Sequence, residues 1–106
     1  MKGINIQLQP ERSSNLEVEN VLSVLEIEKL SPKISEGNDN GQYINIDFRV
    51  HSVYEVWNRL KPQLFLCPGV KESSIVVCEG SQSWDNYLLL HHYDSSQETD
   101  DVPSNH

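Results

Sequence analysis

The chain has little of what marks a secreted or membrane protein. Its 106 residues include only two cysteines, Cys67 and Cys78, too few for the disulfide framework of a small secreted scaffold. No apolar run approaches the roughly 18 residues that a membrane-spanning helix needs. The first residues, MKGINI, lack the apolar segment of a secretory signal. We therefore expect a cytoplasmic protein with reduced thiols and no membrane partner.

Basic residues are also scarce. Eight Lys and Arg stand against sixteen Asp and Glu, which gives a net charge of −8. Proteins that bind DNA or RNA need a basic surface to displace counterions from the phosphates. The composition therefore argues against a nucleic-acid ligand, and it favours a basic protein as partner.

Catalytic and metal-binding motifs are missing as well. The sequence contains no GxGxxG, Walker A, GxSxG or HExxH pattern. Cys67 and Cys78 do not have the spacing of a zinc site. His91 and His92 are neighbours on a predicted strand, so they point to opposite faces and cannot hold one ion together. We expect no cofactor, no metal and no catalytic residues.

The apolar pattern that is present predicts an α+β fold. Alternating residues predict strands at 3–9 and 43–50, and an unbroken apolar run predicts one at 74–79. Two further strands are predicted beside turn-rich segments, at about 25–35 and at 87–93. Apolar residues at helical spacing follow Ser14 and His51. The order β-α-β-β-α-β-β corresponds to the ferredoxin-like β-α-β-β-α-β pattern with an added C-terminal strand. We expect a small antiparallel or mixed sheet with two helices on one face.

The sequence pattern allows more than one end for each predicted helix. The first helix could stop near Val24, or it could run to Leu30 and give the order β-α-β-α-β-β instead. The turn-rich segment 36–41 favours the shorter helix, because a hairpin needs a strand on its near side. In the second helix, Pro62 predicts an end or kink near Lys61.

The last thirteen residues differ from the rest. Residues 94–106 contain four acidic residues, no Lys or Arg, and Val102 as their one aliphatic residue. Such a segment buries too little apolar surface to offset the entropy of ordering it. The composition therefore predicts one domain at 1–93 and a disordered acidic tail at 94–106.

Aromatic and acidic residues cluster at the last predicted hairpin. Its loop, placed at 80–86, contains Trp84, Asp85 and Asn86, and Tyr87 follows. Trp and Tyr are favoured as interface anchors, and acidic neighbours steer a basic partner. The predicted partner-binding residues are Trp84, Asp85, Asn86, Tyr87 and Glu79, with Tyr43 and Asp47 on the outer face of strand 43–50.

These features favour a non-enzymatic binding module. Our leading hypothesis is an immunity or antitoxin-like inhibitor that covers the active site of a basic, nuclease-type toxin. One alternative is a homodimeric small-ligand-binding or regulatory domain of ferredoxin-like type. Another is a small enzyme without a recognisable motif, using Cys67 or the His91/His92 strand.

Overall fold

A single five-stranded sheet organises the molecule. The computed structural model describes all 106 residues. Its elements are β1 (Lys2–Leu8), α1 (Val18–Ile27), β2 (Lys33–Asn38), β3 (Gln42–Val50), α2 (Val53–Leu66), α3 (Val70–Ser73), β4 (Ser74–Gly80) and β5 (Ser83–His92). In space the strands follow the order β2-β3-β1-β4-β5, and every neighbouring pair is antiparallel. The predicted α+β class is confirmed, with two main helices and the one-turn helix α3.

The core lies on one face of this sheet. Along β1, Ile4, Ile6 and Leu8 are buried, and they share one hydrophobic cluster with residues of β3, α1 and α2. The side chains between them, Asn5 and Gln7, lie on the opposite face, where they bond polar partners on β3. Because both helices pack on the apolar face, the polar face stays open. We call it the open face.

The first helix ends between the two predicted positions. The N–H of Lys29 donates to the carbonyl of Glu26, and the N–H of Leu30 donates to the carbonyl of Leu25. Lys29 has a φ of +58°. These bonds form a Schellman motif, which stops a helix by turning one residue into the left-handed region. The chain then enters β2, as the shorter alternative requires. At the start of the helix, Glu17 occupies the N-cap position and makes no side-chain cap bond.

The second helix continues past its proline. α2 runs through Pro62 to Leu66, so, of the predicted end or kink near Lys61, the end is wrong. Pro62 is exposed, and its missing N–H removes one bond in the last turns. Leu64 beyond it is fully buried in the core. Burying such a side chain contributes about 2 kcal/mol, which offsets much of the proline's cost.

The last strand begins earlier than the predicted Tyr87. β5 starts at Ser83 after the two-residue turn Ser81–Gln82, so the prediction of a loop at 80–86 is wrong. The side chain of Asn86 holds the turn, since its Oδ1 accepts from the N–H of Gln82 at 2.9 Å and its Nδ2 donates to Oγ of Ser81 at 2.8 Å.

Residues 94–106 lie against the domain in the structure. The N–H of Asp100 donates to the carbonyl of Leu89 at 2.7 Å, and its carboxylate accepts from the N–H of Leu89 at 2.8 Å. Val102 packs against the core. The carbonyl of His106 accepts from the N–H of Val53 at the start of α2. The prediction of disorder rests on the average composition of the segment. An average of this kind does not report the contacts that a few individual residues make.

Candidate protein-binding surface

A bulge in β5 presents the predicted aromatic cluster. Between the pairs Cys78↔Leu88 and Gly80↔Ser83, β4 has one residue and β5 has four. Those four residues, Trp84–Tyr87, are all exposed, and we call them the β5 bulge. Bulges redirect side chains out of the regular ladder and are frequent beside functional sites.

Two aromatic side chains of the β5 bulge are partly exposed while the chain around them is held in place. Trp84 is 42% exposed and Tyr87 is 57% exposed. The indole of Trp84 lies over Gly3, where a Cβ would come within 2.8 Å of Cζ2. An aromatic group fixed in this way loses little entropy when a partner covers it.

Two other predicted site residues form hydrogen bonds within the domain. Asn86 is used by the hairpin turn. Glu79 is only 8% exposed, and its Oε1 accepts the N–H of Gly3 at 2.9 Å and pairs with Nη1 of Arg49 at 3.2 Å. Because their polar atoms are already bonded, these side chains support the bulge and have little left to offer a partner.

The predicted residues on β3 lie farther from the bulge. β1 and β4 stand between β3 and β5 in the sheet. Asp47 accepts from Nδ2 of Asn5 at 2.8 Å on the open face, and it lines the same groove as Trp84. Tyr43 lies near the opposite end of β3, with its ring against Gly37. The structure therefore brings Asp47 near the aromatic cluster and leaves Tyr43 apart from it.

Negative charge gathers along the same edge of the sheet. Residues 81–106 contain five carboxylates and no Lys or Arg, and all five are exposed. They are Asp85, Asp94, Glu98, Asp100 and Asp101. Residues 81–106 carry −5 of the net charge of −8, and the contact of residues 94–106 with β5 places these carboxylates along one edge of the sheet. We call it the acidic edge.

One carboxylate of the acidic edge is held in its charged form. Oδ1 of Asp94 accepts from both Oγ and the N–H of Ser96, at 2.7 and 3.0 Å. The side-chain hydrogen bond from Ser96 is the main cause that lowers the pKa of Asp94 below its ordinary value. Sequence reasoning assigned the acids of 94–106 to a detached tail, since nothing in their spacing indicates the contact between Asp100 and Leu89.

The thiols and histidines do not assemble an activated nucleophile. Both cysteines are free. Burial raises the pKa of Cys67 and raises the pKa of Cys78 to about 11, whereas a nucleophilic cysteine needs a lowered pKa. His91 lies on the helix side of the sheet, with its ring 4.7 Å from that of Phe65 between centroids. No group of three or more His, Cys, Asp or Glu side chains is arranged to hold a metal ion.

Comparison with protein-family models, with curated proteins and with solved structures returned no match. None of the helices combines the length and the apolar content required to span a bilayer.

Proposed function

We propose that this chain is a non-enzymatic binding module that docks a basic partner protein on the acidic edge. The observation that carries the proposal is that Trp84 and Tyr87 are exposed and belong to a stretch, residues 81–106, with five carboxylates and no Lys or Arg. Aromatic side chains bury large areas and dominate interface energies. The surrounding charge would steer a basic protein toward them.

The partner class we favour is a basic, nuclease-type toxin, with this chain as its inhibitor. The nucleic-acid site of such an enzyme is a cluster of Lys and Arg that recognises phosphates. Carboxylates on a fixed edge offer those cations an alternative to phosphate. An inhibitor of this kind covers the active site by complementary charge and needs no chemistry of its own.

The first experiment captures partners from a lysate of the protein's own source. We expect one basic protein to be retained at about 50 mM salt and largely lost at about 500 mM, because screening shortens the Debye length. The retained protein is then purified, and its association with this chain is measured directly. If it is a nuclease, one equivalent of this chain should abolish its activity.

Variants locate the surface on the captured complex. Asp85→Lys should slow association about tenfold at low salt, and Tyr87→Ala should speed dissociation through loss of an anchor. The matched control is Glu26→Lys, which makes the same charge change at an exposed position of α1. Equal effects of Asp85→Lys and Glu26→Lys would contradict the proposal. So would an acidic partner, or recovery of only a second copy of this chain, which would favour the homodimeric alternative.

A further inference from the structure

A groove of about 620 Å³ lies beside Trp84 at one end of the open face. Its lining includes Gly3, Lys29, Leu30, Lys33, Arg49 and Trp84. The volume falls in the range of small-molecule sites. We call it the lysine groove, because Lys29 and Lys33 line it. Its positive charge contrasts with the net negative charge of the chain.

Three of the eight Lys and Arg residues of this acidic chain line the lysine groove. Arg49 is already engaged, since it pairs with Glu79 and donates to the carbonyl of Met1 at 2.7 Å. Lys29 and Lys33 have no carboxylate within 4.0 Å. One acid, Asp47, also lines the groove, and it accepts a hydrogen bond from Asn5. Neither lysine is therefore in an ion pair, and Asp47, directly opposite Lys33 in the sheet, is the one acid of the lining.

Lys29 occupies a backbone position that favours glycine. Its φ of +58° belongs to the C′ residue of a Schellman motif, where a side chain costs about 1 kcal/mol. The local fold gains nothing from a Cβ at this site. Backbone strain of this kind is found at ligand sites, where a side chain is needed for another reason.

The wall of the lysine groove combines the indole of Trp84 with other apolar side chains. Gly3 lets the indole of Trp84 lie against β1, because a Cβ there would approach Cζ2 and Glu79 within 3 Å. Leu30 and Phe48 also line the groove. β3 extends three residues beyond its last pair with β2, Lys33↔Asp47, which leaves the rim of the groove open at that edge.

We propose that the lysine groove binds a small aromatic anion, a planar ring that carries a carboxylate or sulfonate. The ring would pack against Trp84 and the other apolar side chains of the lining, and the anionic group would pair with Lys29 and Lys33. Charge-assisted bonds to the two lysines select for the anion, while the ring supplies apolar burial. This site shares Trp84 with the acidic edge but selects the opposite charge, so the two proposals are tested with variants that leave Trp84 unchanged.

The probe is 8-anilinonaphthalene-1-sulfonate, whose fluorescence rises in an apolar site. We expect saturable binding with one site per chain, weakened by salt. N-phenyl-1-naphthylamine, which has the same rings without the sulfonate, should bind at least about tenfold more weakly, since it lacks the charge-assisted bonds. Calorimetry gives the stoichiometry for the sulfonate.

Lysine variants assign the site. Lys29→Gln with Lys33→Gln should weaken binding about tenfold or more. Lys61→Gln with Lys71→Gln removes the same charge elsewhere and should change the dissociation constant less than about twofold. Lys29→Gly separates binding from folding, because glycine suits the left-handed position. This variant should bind the sulfonated probe more weakly, while its thermal stability stays equal or rises.

Three results would overturn the proposal: no saturable binding, equal weakening by the two double variants, or equal affinity for the neutral and the sulfonated probe. Asp85→Lys tests the acidic edge and leaves the lysine groove intact. Failure of the partner proposal and failure of this one are therefore distinguishable.

Discussion

The imidazole of His91 illustrates how folding changes one residue's chemistry. Its Nε2–H donates to the carbonyl of Lys71 at 2.9 Å, and its ring packs against Phe65. Burial is the main cause that lowers the pKa of His91 below its ordinary value of 6.5, and the charges of Lys71, His92 and Lys61 act in the same direction. A proton on this ring is therefore less favourable in the folded protein than in the unfolded chain.

This lowered pKa predicts a loss of stability in mild acid. Below about pH 6.5 the unfolded chain binds a proton at His91 more readily than the folded protein does. The free energy of unfolding contributed by this site should therefore fall as pH drops from about 6.5 toward the folded pKa, and then level off. Urea denaturation at several pH values measures the free energy of unfolding as a function of pH. His91→Gln should flatten this profile below about pH 6.5.

The control for this prediction is His51→Gln, a change at an exposed histidine just before α2. It should leave the pH profile close to that of the unmodified protein. An identical profile for His91→Gln and the unmodified chain would show that another group governs the acid response.

At the scale of elements, residues 94–106 contact β5 in the structure, whereas their composition alone predicts disorder. An edge strand exposes unpaired backbone groups, and proteins commonly cover such edges. Here Asp100 pairs with Leu89 through two hydrogen bonds, and Val102 closes the adjacent part of the core. His106 reaches two elements, since its Nε2–H donates to the carbonyl of Glu79 at 2.7 Å.

Removal of residues 94–106 should therefore destabilise the domain. Loss of the apolar contact of Val102 and of the hydrogen bonds at Leu89 predicts a decrease of about 1–3 kcal/mol in the free energy of unfolding. The amides of Leu89 and Val53, which bond this segment, should exchange with solvent faster. Val102→Asp in the full chain should give a smaller loss in the same direction. Unchanged stability and exchange would instead match the disorder that the composition predicts.

The whole molecule has one core that both main helices and the sheet share. All 19 buried hydrophobic residues belong to a single cluster, and Trp57 of α2 lies in it. A domain of this size with one shared core unfolds in a single cooperative step. No separate unit remains that would unfold on its own.

Cooperative unfolding can be tested with one fluorophore. Trp84→Phe leaves Trp57 as the only tryptophan. Its emission and the far-UV circular dichroism should change at the same urea concentration, because the core and the secondary structure are lost together. Transitions that separate clearly would show that α2 leaves the sheet before the strands unfold.

The candidate site was visible in part from the sequence. The aromatic residues Trp84 and Tyr87 stand out beside Asp85 because Trp and Tyr are enriched among the residues that dominate interface energies. The internal bonding of Glu79 and Asn86 was hidden, since it depends on Gly3 and on the turn residues that folding brings near. The position of Lys29 and Lys33 beside Trp84 was equally hidden, because Trp84 is far from both lysines along the chain.

The sequence by itself determined the α+β class, the alternation of β1 and β3 and the turn before β3. These follow from side-chain periodicity and turn chemistry, which act over a few residues. Tertiary structure decided where β5 begins, the passage of α2 through Pro62, and the position of residues 94–106. Each of these depends on contacts between distant segments, such as Leu64 in the core and Val102 beside β5. Local propensity is too weak to set an element's limits when burial or a distant hydrogen bond opposes it.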